Sequence, residues 1–294
     1  MKAKEIGSRG IWFPTDGMES EKAIEFVKEI ESLGYSTLWI PETTGRDPFA
    51  HIAMLLENTT EIVFATGIAN IYHRHPGSMR QAASTLAEQS KGRFILGLGV
   101  SHEPLVSGLR QLEYLKPIEA MRAYLEQMNM SPYSSRPPEK QPICLLAALG
   151  PRMLELSAEL ADGAHPYWTN PEHTQQARKI IGDEKLLCVE QKVVITTNQE
   201  IAYGAAKESL RIYANLPNYR NNWKRLGFTD EDIDEPSSQF IDTFVAWGSL
   251  EKIEDRISSH YDAGADHVCL QPILLEGSYA DPHLQAFSSL VSKT

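Results

Sequence analysis

Cysteine is scarce in this chain, which has only three among its 294 residues. Cys144, Cys188 and Cys269 each stand in an apolar, strand-like stretch and lie far apart along the sequence. An odd number of scattered cysteines fits neither a disulfide framework nor a zinc cluster. We therefore expect three buried, reduced thiols.

Long apolar runs and clustered positive charge are missing as well. No run of about 18 apolar residues occurs, and the N-terminal residues MKAKEIGSRG lack the apolar region of a secretory signal. The formal net charge is -11, and no Lys- or Arg-rich stripe offsets it locally. We therefore expect a cytoplasmic protein that has no nucleic-acid or membrane partner.

Two common site signatures are absent. The first predicted strand is not followed by the Gly-x-Gly-x-x-Gly turn with which an open Rossmann sheet binds a dinucleotide. Gly97-Leu98-Gly99 lies within and after a later strand, and no helix opens directly behind it. No Gly-x-Ser-x-Gly elbow precedes Ser101 and His102. A Rossmann dehydrogenase and a serine hydrolase are therefore disfavoured.

Metal ligands are also scarce. His73 and His75 could meet one ion if they lay on a strand, but no carboxylate or third histidine stands nearby in the sequence. The alternative that we favour is that His75 caps the helix opened by Pro76, while Arg74 makes structural hydrogen bonds. We expect no metal site.

What the chain does contain is a regular alternation of short apolar runs and amphipathic helices. Its clearest part is the stretch 61–102, in which residues 62–64 and 94–98 are short apolar runs typical of buried parallel strands. Between them Pro76 opens a helix whose apolar residues recur at three- and four-residue steps, and Gly92 ends it. This pattern is one strand-helix unit followed by the next strand.

The alternation continues along the whole chain. The predicted strands cover residues 10–13, 36–40, 62–64, 94–98, 143–147, 161–165, 186–196 and 266–270. Residues 199–246 have a mostly helical pattern and enlarge the connection after the seventh strand. Eight strand-helix units predict an α/β fold, a closed (β/α)8 TIM barrel rather than an open sheet, in a single domain over residues 1–294.

In such a barrel the site is built from the loops that follow the C-terminal ends of the strands. Those loops cover residues 42–43, 67–72, 100–102, 148–152, 167–170 and 271–273. Their mixture of polar, aromatic and Gly-rich segments is typical of a site for a flat conjugated cofactor with a phosphate tail. Leu149, Gly150 and Arg152 begin a helix, where free backbone N–H groups and the helix dipole favour a phosphate.

Several of these segments together resemble a known family. Thr66-Gly67-Ile68, Arg74-His75-Pro76, the helix with Ala83, and GRFILGLG at residues 92–99 resemble the middle of a luciferase-like monooxygenase. That superfamily includes deazaflavin-dependent oxidoreductases. The resemblance implies a flavin-type cofactor, coenzyme F420 or FMN, used for hydride transfer or oxygen activation on a small organic substrate, and it favours the deazaflavin slightly. A non-catalytic flavin-binding barrel and a metal-dependent barrel hydrolase stay open as alternatives.

The resemblance also implies roles for individual residues. Luciferase-like enzymes carry a bulge with a non-prolyl cis peptide after strand three, which supports the middle ring of the cofactor. By matching position, that bond joins Gly67 to Ile68. The residues expected to line the ring are Asn70, Val100 and Ser101, and those expected to receive the phosphate are Leu149, Gly150 and Arg152.

Two departures from the family pattern concern the catalytic groups. In deazaflavin-dependent sugar-phosphate dehydrogenases of the superfamily, an Asp-His pair follows strand two and its histidine takes the substrate's proton, whereas this chain has Glu42 and Thr43 there. The same relatives place a carboxylate after strand four, where this chain has His102. Because an imidazole gives or accepts a proton near neutral pH, we predict His102 as the catalytic acid or base, with Glu42 as the next candidate.

Luciferase-like relatives commonly pair through barrel helices. The small residues Ala82, Ala83 and Ala87 share one helix face and would let a partner helix approach closely. We therefore predict a homodimer. The alternative is that this face packs on the chain's own barrel.

Overall fold

Eight parallel strands form a closed barrel in the computed structural model, which describes residues 6–291. The barrel strands are β1 (Arg9–Trp12), β2 (Thr37–Ile40), β3 (Val63–Thr66), β4 (Phe94–Gly99), β5 (Ile143–Leu146), β6 (Gly163–Ala164), β7 (Leu186–Val194) and β8 (His267–Pro272). Strand β8 pairs with β1 on one side and β7 on the other, so that Cys269 lies opposite both Gly10 and Glu190 and the ring is closed. The predicted TIM barrel is confirmed.

Helices follow the strands and cover the outside of the barrel. They are α1 (Ser20–Ser32), α2 (Pro48–Glu57), α3 (Pro76–Gln89), α4 (Pro117–Met130), α5 (Pro151–Leu160), α6 (Pro171–Ile181), α7 (Gln199–Leu210), α8 (Pro217–Arg225), α9 (Asp230–Asp234), α10 (Ser238–Phe244), α11 (Leu250–Asp262) and α12 (Gln285–Ser288). Within residues 6–291, none of them combines the length and apolar character needed to cross a bilayer.

Several helices are capped by the side chain of the residue that precedes them. Asp47, His75, Asn170 and Ser249 accept hydrogen bonds from backbone N–H groups in the first turns of α2, α3, α6 and α11. The nitrogen Nδ1 of His75 accepts from the backbone of Gly77 at 3.1 Å. His75 is therefore a capping residue, and the alternative favoured over a metal ligand is confirmed.

Strand β7 shows how the barrel separates its two faces. Cys188 lies in the apolar cluster inside the barrel, whereas Val189 and Val193 pack with the surrounding helices. Because successive side chains of a strand point to opposite faces, Glu190 and Lys192 continue the inward row of Cys188. Glu190 and Lys192 are 0% and 1% exposed, so two charged side chains are buried in the barrel interior, toward the C-terminal ends of the strands.

The cysteines are all free thiols, but they differ in burial. Cys188 and Cys269 are buried inside the barrel, whereas Cys144 is partly exposed. Cys144 is more exposed as a residue because its strand, β5, begins with two partly buried residues. Its thiol is nevertheless withdrawn from water, since burial raises the pKa of the Cys144 thiol to about 12.

The connection after β7 differs from its predicted pattern at one end. Helix is predicted through residue 246, but Val245–Trp247 form a short parallel strand beside residues 192–194 of β7. Strand β6 has two residues and reaches only Leu186 and Leu187 of β7, so the edge of β7 is open farther along. The backbone of Val245–Trp247 satisfies the hydrogen bonds of that open edge.

Pro282 could open the last helix of the chain, since proline is favoured at the first helical position, but the structure differs there. Residues Gly277–Ser278 and Asp281–Pro282 form a two-stranded antiparallel hairpin, and α12 begins at Gln285. Proline lacks a backbone N–H and is tolerated on a strand edge, where no donor is needed.

The insertion between β7 and α11 builds an apolar cluster of its own. Trp168, Val194, Trp223, Phe240 and Phe244 are buried in it. Since Val194 is the last residue of β7, the cluster lies at the C-terminal end of the barrel strands. The insertion is thus packed on the side of the barrel where the active site of this fold is found.

The helix face predicted to meet a partner subunit is already covered. Ala83 and Ala87 of α3 are 2% and 1% exposed in the single chain, and Ala82 packs against the same core. The alternative, that this face packs on the chain's own barrel, is confirmed. The homodimer prediction therefore has no support from this surface.

Candidate active site

The loop after β3 forms the bulge that the family resemblance implies. The peptide bond between Gly67 and Ile68 is cis, as predicted. The carbonyl oxygen of Gly67 accepts a hydrogen bond from Trp12 Nε1 at 3.0 Å, and Glu42 donates its backbone N–H to the oxygen of Ile68 at 3.3 Å. A Cβ atom at Gly67 would lie 2.8 Å from Trp12 Nε1, so the indole rests directly on the bulge.

Glycine in β4 lets the bulge lie against the next strand. Ala69 and Asn70 pair with Leu98 and Gly99, and a Cβ atom at Gly99 would lie only 2.5 Å from Ile68 Cδ1. The Ile68 side chain therefore occupies the space that a larger residue would take. This packing fixes the bulge beside the C-terminal end of β4.

The carboxylate of Glu42 is buried, and both of its oxygens are occupied. Arg74 donates to Oε2 at 2.9 Å and lies 2.6 Å from Oε1, while the backbone N–H of Asn70 donates to Oε2 at 2.7 Å. His73 Nδ1 is 3.2 Å from Oε1, and the Glu42 side chain is 6% exposed. Glu42 thus connects the loop after β2 to the bulge through hydrogen bonds. Neither carboxylate oxygen is free for the catalytic role predicted for Glu42.

Glutamine in place of Glu42 should therefore lower stability more than turnover. Glu42→Gln removes charge-assisted hydrogen bonds from Arg74, and we expect a loss of about 1–3 kcal/mol in the free energy of unfolding. Urea denaturation followed by circular dichroism would measure it. Glu159→Gln is the matched control, because the Glu159–Arg122 pair has the same paired contacts at exposed positions and should matter much less. A hundredfold loss of turnover in stable, folded Glu42→Gln would contradict the structural role.

Asn70 is fully buried, and its amide serves the local fold. Its Oδ1 accepts from the backbone N–H of Tyr72 at 2.9 Å, and its Nδ2 lies 3.2 Å from His73 Nε2. The amide holds the turn that follows the bulge. The Asn70 side chain is therefore occupied within the protein.

His102 stands where the loop after β4 meets the insertion. Its ring lies 5.6 Å from that of Tyr219, and it forms a side-chain hydrogen bond with Asn218. Burial lowers the pKa of His102, which the hydrogen bond with Asn218 partly offsets, so the neutral imidazole is favoured at neutral pH. Val100 and Ser101 lead into it, and Ser101 has a left-handed backbone with φ of 53°.

The N-terminus of α5 presents uncapped backbone N–H groups. Gly150 is its N-cap and supplies no side chain, and Leu149 uses its carbonyl oxygen to accept from His173 Nε2 at 2.8 Å. A Cβ atom at Gly150 would lie 3.4 Å from Arg225 Nη2. Arg225 belongs to the insertion, and Arg152 is exposed in the first turn of α5, so two guanidinium groups flank this helix end.

Two buried polar atoms beside this helix end lack hydrogen-bond partners within residues 6–291. They are His173 Nδ1 and Asn222 Nδ2, in side chains that are 2% and 1% exposed. Asn222 also accepts from Arg225 at 3.1 Å, which places its amide beside the same guanidinium. Because buried polar groups are normally paired, these atoms indicate a site for a polar ligand. His173 Nδ1 is an acceptor, since Nε2 donates to the Leu149 carbonyl oxygen. The Asn222 amide, the uncapped N–H groups and the positive charge fit the phosphate-bearing tail of a flavin-type cofactor.

A second cluster at the barrel mouth was not predicted. Lys192 Nζ lies 3.2 Å from Glu190 Oε1, donates to the Tyr167 hydroxyl at 2.8 Å, and also donates to Gln271 Oε1. The rings of Tyr167 and Trp168 lie 4.1 and 4.7 Å from Nζ. The sequence carried a signal, since Glu and Lys stand two residues apart in the otherwise apolar strand LLCVEQKVV and must share a face.

Burial and mutual attraction both act on this charged pair. Burial lowers the pKa of Lys192 to about 8, and the neighbouring Glu190 carboxylate partly offsets this shift. Burial likewise raises the pKa of Glu190, against the attraction of Lys192. Trp12 joins this cluster to the bulge, because its ring lies 5.3 Å from that of Tyr167 while its Nε1 binds Gly67.

Comparison with known proteins agrees with this geometry. Residues 9–267 match the family described as luciferase-like monooxygenase. The chain belongs to this family. Membership confirms the predicted family resemblance. At the level of the family, it also confirms the prediction of an oxidoreductase or monooxygenase that uses a flavin or F420. Within residues 6–291, no three His, Cys, Asp or Glu side chains come together in a group that could hold a metal ion.

Several luciferase-like relatives can be compared over most of the chain. A putative coenzyme F420-dependent oxidoreductase of Mycobacterium tuberculosis is 25% identical over 264 residues, covering 74% of this chain and 76% of that protein. An F420-dependent secondary alcohol dehydrogenase in complex with an F420-acetone adduct has a TM-score of 0.77 at 13% identity, covering 97% of this chain and 96% of that one. The FMN-bound oxygenating constituent of 3,6-diketocamphane monooxygenase of Pseudomonas putida has a TM-score of 0.72 at 14% identity over the same shares. At these identities the solved structures show the shared fold.

Proposed function

We propose that this chain binds coenzyme F420 or FMN across the barrel mouth and transfers hydride, or activates oxygen, on a small organic substrate. The observation that carries the proposal is the helix end at Gly150, where uncapped N–H groups, Arg225 and the unpartnered amide of Asn222 converge. This anion-binding end lies on the same face of the barrel as the bulge at Gly67 and Ile68. A ring with a phosphate tail would reach from one to the other.

Apart from Glu42 and Asn70, whose side chains serve the local fold, each predicted site residue has a place in this proposal. Gly67 and Ile68 support the ring from the side backed by Trp12, and Val100 and Ser101 form the adjoining wall. The phosphate lies at the α5 terminus, which is formed by Leu149, Gly150 and Arg152. His102, at the edge of the mouth, gives or accepts the proton that accompanies the reaction. Bound there, a reduced deazaflavin supplies hydride, and reduced FMN can also react with oxygen.

Between the two cofactors, the relatives favour F420 slightly. The sequence relative from Mycobacterium tuberculosis is described as F420-dependent, and a structural neighbour of the same fold holds an F420-acetone adduct. FMN stays as the second candidate, because another neighbour of similar TM-score holds FMN. Consumption of oxygen by the chain with reduced FMN would favour the monooxygenase over the reductase.

Cofactor titration tests the proposal directly. We expect saturable binding of one of the two cofactors, which the change in cofactor fluorescence would measure. Arg225→Ala should raise the Kd about tenfold, because a charge-assisted hydrogen bond to the phosphate is lost. Arg211→Ala is the matched control, since Arg211 lies on the same insertion but pairs with the exposed Glu208. The proposal fails if neither F420 nor FMN binds the folded chain.

A homodimer and a cytoplasmic location are part of the same proposal. Luciferase-like relatives commonly pair, although α3 offers no open small-residue face for it here. Light scattering at micromolar concentration measures the mass in solution, and a monomeric mass would contradict the dimer.

A further inference from the structure

A chain of hydroxyl groups leads from the sealed charges of β7 to the barrel mouth. The Tyr167 hydroxyl accepts from Lys192 at 2.8 Å, and the hydroxyls of Tyr167 and Tyr213 are 2.9 Å apart. Lys192 is buried, whereas Tyr167 and Tyr213 are partly exposed. Tyr213 comes from the insertion, in the short turn before α8. The chain therefore runs from a buried amine to a tyrosine of the insertion whose residue surface is partly exposed.

The hydrogen-bonding capacity of these groups allows a proton to pass along the chain. The ammonium of Lys192 has three N–H donors, which face Glu190, Tyr167 and Gln271. The Tyr167 hydroxyl can donate either to Gln271 Oε1, at 2.8 Å, or to Tyr213. In the second arrangement the proton of Tyr213 is free to point to a substrate. The Tyr213 oxygen would then accept a hydrogen bond from Tyr167, whose own oxygen accepts one from the ammonium of Lys192.

This hydroxyl chain adjoins the surface proposed to support the cofactor ring. The indole of Trp12 contacts the bulge at Gly67 on one side and the ring of Tyr167 on the other. One aromatic ring thus separates the hydroxyls from the bulge. A substrate that lies on the cofactor ring would therefore be close to Tyr213.

The loop after β2 cannot supply the substrate's proton in this chain. Thr43 stands where related sugar-phosphate dehydrogenases have a histidine, and a threonine hydroxyl does not titrate near neutral pH. The oxygens of Glu42 are occupied by Arg74, Asn70 and His73. His102 is proposed to serve the cofactor side of the mouth, so the substrate's oxygen needs a proton carrier of its own.

We propose that the Tyr213 hydroxyl, backed by Tyr167 and Lys192, donates the proton to a small neutral carbonyl substrate at the barrel mouth. This inference rests on the proposed function, which supplies the hydride. The substrate is uncharged because the ammonium of Lys192 is already neutralised by Glu190, and the surrounding walls are the rings of Trp12, Trp168 and Tyr219. Lys192, the cation of this cluster, is therefore not free to bind the phosphate of a phosphorylated sugar.

The step balances as a carbonyl reduction. A reduced cofactor, when bound, would supply hydride by breaking one of its own C–H bonds. The hydride would form a C–H bond at the carbonyl carbon, and the electron pair of the C=O π bond would move to oxygen. That oxygen takes the proton of Tyr213, which regains one from Tyr167, and Tyr167 regains one from the ammonium of Lys192. After the alcohol leaves, the buried amine regains a proton from solvent by the reverse route, through the hydroxyls of Tyr213 and Tyr167. Lys192 is a positioning residue, because it acts through the two tyrosines.

Several titratable groups face Lys192 and set the pH at which it supplies the proton. They are Glu190 on the same strand, Cys269 on β8, and Tyr167 and Tyr213 from the mouth. Since the charged form is the proton source, kcat for carbonyl reduction should be high below the pKa of Lys192 and fall as pH rises through it. Burial places this pKa at about 8.

The first test measures ligand binding and requires no catalytic turnover. 4-Nitrophenol is a small aromatic probe whose ionised form presents an oxyanion and absorbs differently from the neutral form. We expect the full chain to bind it and to lower the pKa of the bound probe. Tyr213→Phe should weaken binding of the ionised form about tenfold, because one hydrogen bond to the oxyanion is lost. Absence of binding, or equal binding by Tyr213→Phe, would overturn the inference.

The second test uses the cofactor-loaded chain with cyclohexanone, acetophenone and benzaldehyde as probe substrates. Tyr213→Phe should lower kcat about 10- to 100-fold and leave the Kd of the cofactor unchanged. Tyr203→Phe is the matched control, because that phenol is also on the insertion but binds Asp242 at 3.1 Å, away from the hydroxyl chain. If the cofactor itself does not bind, the proposed function fails. The nitrophenol measurement still tests whether the Tyr213 hydroxyl binds an oxyanion.

A third variant separates proton supply from structure. Lys192→Met alone leaves Glu190 buried and unpaired, so it is combined with Glu190→Gln to remove both charges. The folded double variant should lose the fall in kcat near pH 8 that the unchanged chain shows. An unaltered pH profile in the double variant would exclude Lys192 as the source of the proton.

Discussion

Turnover should fall about 10²–10⁴-fold in His102→Ala, while the affinity for the cofactor stays nearly unchanged. This is the loss expected when a general acid or base is removed from the transition state. The structure supports the role by placing the imidazole at the barrel mouth, beside Tyr219 and Asn218, with its pKa lowered by burial. Stopped-flow measurement of cofactor oxidation or reduction would give the rate, and fluorescence titration the affinity.

Two further variants test whether the proton itself matters. His102→Gln should be comparably slow, because an amide fills the space without titrating. Asn218→Ala should retain turnover but shift the acid limb of its pH profile to lower pH, since the hydrogen bond with Asn218 raises the pKa of His102. Full turnover of His102→Ala from about pH 5 to about pH 9 would show that another group carries the proton.

The second large effect is expected on stability, in Gly97→Ala. Gly97 lies in β4, and a Cβ atom there would be 2.0 Å from the carbonyl oxygen of Thr66 in the adjoining strand. The Thr66 hydroxyl also donates to the Gly97 oxygen at 2.8 Å and accepts from its N–H at 2.9 Å. Because backbone must move and these bonds must lengthen, we expect a loss of about 3 kcal/mol or more in the free energy of unfolding.

Urea denaturation of Gly204→Ala provides the matched comparison. Gly204 is exposed within α7, and a Cβ atom there would meet nothing within 4 Å. The same substitution should stabilise the chain by about 0.5–1 kcal/mol, because alanine loses less backbone freedom in a helix. Equal stability of the two variants would contradict the close approach of β3 and β4 at Gly97.

Most barrel elements follow from signals that act within a few residues. Asp47 and His75 cap their helices because a side-chain acceptor directly precedes a proline that opens a helix. Short apolar runs predict β3 and β4, since strands buried on both faces carry few polar residues. These local preferences, repeated eight times, leave few topologies other than the closed barrel.

Strand order also predicted part of the site. His102 and Gly150 follow the ends of β4 and β5, and the ends of parallel barrel strands must share one face. That rule places residues at the mouth without specifying where their side chains point. Glu42 shows the limit, because its carboxylate turns to Arg74 across the barrel rim rather than toward the mouth.

Long-range packing accounts for the remaining features. The charges of Glu190 and Lys192 are visible in the sequence, but the partners Tyr167, Tyr213 and Gln271 come from three other segments. The insertion brings Tyr213 and Arg225 to the mouth only because its own apolar cluster packs on the end of β7. Such contacts join residues far apart in the chain, so local propensity and periodicity cannot specify them, whereas burial of a shared apolar surface does.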